Sequence, residues 1–330
     1  MKDLDFRALV GHESALATLK KGGRREPFPS LVFGGPSRIG KRLSGIWYAA
    51  YLNCLQVDEQ APCGQCGACQ KFLSGGHPDI YYTRVPEKKT VVGVSDVREA
   101  IHEVHHAPFE ANYRVWLIED GERLTDEAQN ALLKTLEEPP GRAVIVLTTN
   151  LVGTLLPTVS SRCRLIRFGA LGLTQVKESL VSEGAEPDLA DKLASLCGGS
   201  LGLALTLLRD PGMLEEQEKV LELFCDLPGQ DLWGAMETAR QLEKPKYTTK
   251  DAVIGLGLSL YRDLLVLSAG NPGLVVHRSR MPHLQEKASR ASAPDIRQAL
   301  KDLQEADHCL QRNVSPRLLL QRLCISLSKV

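Results

Sequence analysis

Between residues 30 and 168, short unbroken apolar runs recur. Ser30-Leu31-Val32-Phe33 leads into Gly34-Gly35, Val115-Trp116-Leu117-Ile118 into Glu119-Asp120, and Ala143-Val144-Ile145-Val146-Leu147 into Thr148-Thr149-Asn150. Apolar runs of this length, separated by helical patterns, predict parallel strands buried on both faces and therefore an α/β sheet. Between the second and third runs, Thr125 is placed to cap a helix with Asp126 and Glu127 in its first turn. Ala128, Leu132, Leu133 and Leu136 recur there at helical spacing, and Pro139-Pro140 ends the pattern. Leu165-Ile166-Arg167-Phe168 marks one more strand entrance.

The pattern then changes. Thr174 to Arg209 reads as a small helical unit broken at Gly198-Gly199-Ser200, with Pro211-Gly212 as a linker. Past about residue 213 no strand signal remains. Ile296, Leu300, Leu303 and Leu310 form a helical stripe, and Ser315-Pro316 offers an N-cap and a first-position proline ahead of Leu318-Leu319-Leu320. The expected organisation is an α/β domain over 1–168, a small helical domain over 169–211 and an all-α domain over 212–330. No internal repeat or low-complexity segment is visible.

Composition narrows the class. In 330 residues, 43% are apolar and 24% charged, with 40 Lys+Arg against 40 Asp+Glu, which fits two or three globular domains and excludes a disordered chain. A neutral total argues against a stand-alone nucleic-acid binder, and Lys20, Lys21, Arg24 and Arg25 read as a solvated helix end. The longest apolar stretch, Ala252 to Ala269, is interrupted by Arg262 and Asp263, so no membrane span is expected. Lys2, Asp3 and Asp5 open the chain with no apolar signal core after them, and the expected compartment is the cytoplasm.

Two stretches carry chemistry. Gly35-Pro36-Ser37-Arg38-Ile39-Gly40-Lys41 follows a strand and opens a helix, the context of a phosphate-binding loop in which backbone N–H groups and the lysine hold phosphate oxygens. The next residue should carry a hydroxyl for Mg²⁺, but it is Arg42, a permanent cation. At the end of the second apolar run, Glu119 precedes Asp120, the reverse of the usual Asp-Glu order, which displaces both carboxylates by a methylene. Gly35, Gly40 and Lys41 thus retain the groups that hold ATP or ADP, while hydrolysis is not expected.

The second stretch is Cys54, Cys63, Cys66 and Cys69, with glycines at 64 and 67. Four thiolates at this spacing suit a tetrahedral Zn²⁺ with no open position, a structural site. Loss of one ligand is expected to unfold this module locally and leave the sheet, whose core lies elsewhere. Cys163, Cys197, Cys225, Cys309 and Cys324 read as packing residues, and His102, His105 and His106 as surface or core histidines rather than a metal site, for want of a carboxylate or cysteine at ligand spacing. His77-Pro78-Asp79 reads as a turn that returns the chain to the sheet, with no chemistry of its own.

Taken in order, the phosphate loop, the inserted cysteine module, Asn130-Ala131-Leu132-Leu133-Lys134-Thr135-Leu136-Glu137-Glu138-Pro139-Pro140 and Ser161-Arg162-Cys163 resemble those of bacterial clamp-loader subunits, AAA+ proteins of the DNA polymerase III complex. The resemblance runs from Val10-Gly11-His12 to the region Asn313 to Leu327. Motor subunits of that family (tau/gamma) carry Gly-Lys-Thr, an Asp-Glu strand end and an arginine after Gly-Ser-Leu. Here Arg42, Glu119-Asp120 and Gly202 stand in those places, which makes the chain similar to the non-motor, delta-prime type.

The resemblance implies a RecA-like AAA+ domain with a Cys₄ zinc module at 54–69, a helical lid and a helical collar that oligomerises. It implies as partners a delta subunit and three tau/gamma motor subunits, in a ring that places the sliding clamp on primer-template DNA. It also implies that Arg162 projects into a neighbour's ATP site as an arginine finger, and a guanidinium delivered in this way stabilises phosphoryl charge. The competing reading of Arg162 is a local ion pair with Glu137 or Glu138. The alternative for the whole chain is a catalytically active motor subunit.

Overall fold

The computed structural model describes residues 6, 9–56, 62–87, 89–311 and 314–330, so Lys2, Asp3, Asp5 and Asn313 fall outside the described residues. The chain divides into two compact units. One holds the residues up to Ser179 together with Gly199–Leu203, and the other holds Leu180–Gly198 and Ala204–Val330.

In chain order, the first unit contains α1 (Glu13–Lys21), β1 (Ser30–Gly34), α2 (Lys41–Asn53), α3 (Gly67–Ser74), β2 (Ile80–Thr83), α4 (Val94–Val104), β3 (Arg114–Ile118), α5 (Asp126–Glu137), β4 (Ala143–Thr149), α6 (Pro157–Ser160) and β5 (Arg164–Arg167). Its five described strands pair in parallel in the order β2-β3-β4-β1-β5. The expected strands all form, and their continuous apolar runs have a physical reason. Leu31, Phe33, Val115, Leu117, Val144 and Val146 enter one hydrophobic cluster, while the intervening Val32, Trp116, Ile118, Ile145 and Leu147 enter another. Both faces of β1, β3 and β4 are covered, so their apolar runs do not alternate with water-facing positions.

The sequence pattern missed β2. Ile80-Tyr81-Tyr82-Thr83 is an edge strand with two half-buried tyrosines, and the apolar-run criterion passes over it. The α5 cap is as expected, with the Ala128 N–H donated to Thr125 Oγ1 at 3.2 Å.

The helices α7 (Leu173–Ser182) and α9 (Leu201–Arg209) each have residues in both units, while α8 (Pro187–Leu196) lies in the second. The second unit continues with α10 (Pro211–Asp226), α11 (Leu232–Glu243), α12 (Lys250–Ser268), α13 (Met281–Arg290), α14 (Ala293–Gln311) and α15 (Pro316–Leu327), and among its described residues there is no strand. Two local expectations need correction. Pro211-Gly212 is the first turn of α10 rather than a linker, because proline is tolerated at the first helical position and Asp210 Oδ1 accepts the Met213 N–H at 3.2 Å. Ser315 precedes α15 but makes no side-chain cap.

No described helix is long and apolar enough to cross a membrane. Within the apolar stretch of α12, the fully buried Asp263 accepts the N–H groups of Val276 and His277, the latter at 2.7 Å. That bonding explains how a charge is tolerated inside the helical core formed around Ile254, Tyr261, Ile296 and Leu323.

Candidate functional site

Because β4 lies between β1 and β3, the C-terminal ends of these three strands bring Gly35, Glu119 and Asn150 to one edge of the sheet. In parallel sheets this is the edge where ligands bind. The loop after β1 turns sharply through Gly35 (φ 155°), Arg38 (φ 56°) and Gly40 (φ 100°) before α2 begins at Lys41. Gly35 is obligatory, since a Cβ there would lie 2.0 Å from the Phe168 carbonyl oxygen.

Lys41 is 7% exposed, and its Nζ donates to Gly35 O at 2.7 Å, Pro36 O at 2.5 Å and Asn150 Oδ1 at 2.8 Å. Burial pushes its ammonium below the ordinary lysine value, against the opposing pull of Glu122 and Asp120. Glu122 in turn accepts from Thr149 Oγ1 at 2.8 Å and from the Asn150 N–H at 3.1 Å. Neither Asn150 nor Glu122 was singled out from sequence. The available signal was a polar residue directly after a fully buried strand.

Arg42 and Glu119 are brought together. Arg42 Nε lies 2.9 Å from Glu119 Oε1, and Arg84 Nε lies 2.8 Å from the same oxygen. The two guanidinium groups sit 5.8 and 4.7 Å from the centre of the Tyr82 ring. The carboxylate at the strand end is thus neutralised by two fixed cations belonging to the protein. Asp120 adopts φ 53°, and burial, Glu122 and Glu119 together raise its carboxyl above the usual range.

The segment Gly199–Leu203 closes on the same loop. The Gly202 N–H donates to Arg38 O at 3.0 Å, and Ser200 Oγ lies 3.2 Å from both Ser37 O and Arg38 O. A Cβ at 202 would stand 2.6 Å from Arg38 O. Gly202→Ala is therefore expected to destabilise the first unit by about 1–3 kcal/mol, the cost of forcing an atom into a packed position. A thermal melt of the full chain checks this, and an unchanged midpoint contradicts it.

Cys54, Cys63, Cys66 and Cys69 converge, with all four sulfurs within 4.8 Å of one another. The pairs Cys54–Cys66 and Cys63–Cys69 are each 4.0 Å apart, close to the about 3.8 Å between thiolates sharing one tetrahedral Zn²⁺. The Cys63 N–H points to Cys54 Sγ at 3.4 Å and the Cys66 N–H to Cys63 Sγ at 3.2 Å, while burial holds the Cys54 and Cys69 thiols above their ordinary value. Although burial opposes ionisation, hydrogen bonds bring the Cys66 thiol down to about 6. The four residues fit a single metal ion.

The module does not stand apart from the core. Cys54, Cys66, Cys69 and Phe72 share a hydrophobic cluster with Trp47, Tyr48, Val115 and Val144, which corrects the expectation of an independent sheet core. Arg24 belongs here too rather than to a solvated helix end, since its NH2 donates to Cys54 O at 2.5 Å. The remaining cysteines are free, and burial pushes Cys163, Cys197 and Cys324 up to about 12, in keeping with packing roles.

Arg162 stands between α6 and β5, with its side chain 32% exposed. Its Nε donates to Glu137 Oε1 at 2.6 Å and its NH1 to Thr158 O at 2.9 Å, so within this chain it forms the local ion pair.

Residues 12–172 match the family described as DNA polymerase III, delta subunit. The DNA polymerase III subunit delta' of Pseudomonas aeruginosa is 29% identical over 309 residues, covering 92% of this chain and 93% of that protein. The subunit delta' of Escherichia coli is 36% identical over 199 residues, covering 59% of each. The subunit tau of Bacillus subtilis is 28% identical over 214 residues, covering 62% of this chain and 37% of that protein. Over about nine-tenths of its length, the chain is thus similar to DNA polymerase III delta' subunits from several bacteria.

Proposed function

We propose that this chain is a non-motor subunit of a bacterial clamp loader, acting in the cytoplasm within the DNA polymerase III assembly. In this reading, residues 1–168 are a RecA-like AAA+ domain, 169–211 a lid and 212–330 an oligomerising collar. Its partners are a delta subunit and tau/gamma motor subunits, with the sliding clamp and primer-template DNA engaged through the complex. Its role is to complete a neighbour's ATP site with Arg162 while remaining catalytically silent itself.

The observation that carries the reading is the pairing of Glu119 with both Arg42 and Arg84. A carboxylate that would otherwise share in binding Mg²⁺ is committed to two guanidinium groups, and Arg42 replaces the hydroxyl ligand. The contact between Gly202 and Arg38 supports the same conclusion, since an arginine reaching from position 202 toward a phosphate is sterically incompatible with it. Gly35, Gly40 and Lys41 remain as a nucleotide loop whose lysine would hold phosphate oxygens once released from the loop carbonyls. Zn²⁺ in the four-cysteine site would supply structure and no catalysis, having no open coordination position.

The isolated chain is expected to show no steady-state ATP hydrolysis above a Lys41→Ala control. Turnover that Lys41→Ala abolishes would establish the motor reading instead.

A further inference from the structure

We propose that His102, Glu103 and His106 form a second, surface metal site that takes a divalent transition ion of Zn²⁺ type. One ligand-capable atom from each of the three side chains lies within 4.8 Å of the others. The expectation that these histidines have no carboxylate at ligand spacing is corrected by their grouping with Glu103. The structure supplies Glu103, which is adjacent in sequence and brought into the cluster as α4 ends.

The local backbone explains the convergence. His102 and Glu103 occupy the last turn of α4, and the His106 N–H, just beyond it, is directed to Glu103 O at 3.3 Å. One extra turn therefore returns His106 to the side of His102, and the two rings meet edge to face with centroids 5.3 Å apart. Arg114 NH1 points to His106 O at 3.4 Å, steadying the backbone that carries the second imidazole. His105 is differently engaged, with Nδ1 2.7 Å from Ile101 O, and does not join the cluster.

The donor set selects the class of ion. Two imidazoles and one carboxylate suit Zn²⁺, Ni²⁺ or Co²⁺, whereas Mg²⁺ and Ca²⁺ prefer all-oxygen shells. Donors around a shared tetrahedral Zn²⁺ stand about 3.4 Å apart, so the side chains need only modest rotation to close on an ion. His102 and His106 are exposed and can make that rotation. Three protein donors leave a coordination position for water, unlike the closed set of four sulfurs.

The test is equilibrium dialysis of the untagged full chain against Zn²⁺ alone, comparing wild type with a His102→Ala/His106→Ala variant. One zinc equivalent per chain should be lost in the variant, and His105→Ala should lose none. Glu103→Gln should weaken the same equivalent without abolishing it, since both imidazoles remain. Because the histidines are exposed, the variant should keep the thermal midpoint of wild type in zinc-free buffer. Cys66→Ser should retain the histidine-dependent equivalent, which separates this site from the cysteine cluster. Equal zinc uptake by wild type and the double variant overturns the proposal, as does loss of the equivalent in His105→Ala.

Discussion

Replacing Arg162 with alanine in a reconstituted clamp loader is expected to slow ATP hydrolysis at the neighbouring motor site by about 10³- to 10⁵-fold, the usual worth of an arginine finger delivered in trans. Total activity should fall less, because other motor sites receive their arginines from other subunits. Folding and assembly should be unchanged, since the exposed pair with Glu137 contributes at most about 1 kcal/mol. The weakness of that pair suits the proposed role. A guanidinium held loosely by a half-exposed carboxylate can exchange it for a phosphate oxygen at little cost. Arg162→Lys keeps the charge but loses the planar fork and should rescue only part of the rate. Glu137→Gln should leave the stimulated rate intact. Single-turnover hydrolysis with DNA and clamp present checks all three, and an unaltered rate for Arg162→Ala would make the residue structural.

Cys66→Ser is expected to abolish zinc binding at the four-cysteine site, where structural zinc contributes about 10–16 kcal/mol of apparent free energy in small zinc peptides. The damage should spread in one direction. Cys54, Cys66 and Cys69 pack with α2 and with one face of β1, β3 and β4, so amides of α2 and α3 should lose hydrogen-exchange protection. The opposite face, built around Trp116, Ile145 and Leu132, forms a separate cluster and should keep its protection. Zinc content by elemental analysis and exchange monitored by mass spectrometry read the two effects separately. Full retention of zinc by the variant would show that the four sulfurs do not act as one ligand set.

What the sequence made legible follows from its physics. Strands buried on both faces write themselves as unbroken apolar runs, so β1, β3 and β4 could be read directly. A cap such as Thr125 is also local, needing only the next three residues. The edge strand β2 could not be seen this way, because Tyr81 and Tyr82 face partly outward. The glycine-rich loop after β1 and the cluster of four cysteines could be read because their residues lie close together in the chain. The bridge from Lys41 through Asn150 to Glu122 spans more than a hundred positions, and Arg84 meets Glu119 across thirty-five. Such pairs are made by the strand order, which no local window contains. The same holds for Asp79, read as a simple turn, whose buried carboxylate accepts the N–H groups of Phe109, Glu110 and Ala111.

The shared grip of Arg42 and Arg84 on a single oxygen of Glu119 also bears on how such a chain could change over time. A mutation placing threonine at position 42 would supply a hydroxyl, yet Arg84 would still hold the carboxylate. Removing Arg84 alone leaves Arg42 paired with Glu119. On the proposed reading, either single step leaves Glu119 paired with one arginine, so selection for hydrolysis would have no gradient to climb from here. In the proposed non-motor role, loss of hydrolysis at this position would behave as a ratchet, its return needing coincident substitutions in the helix after β1, after β2 and at position 202.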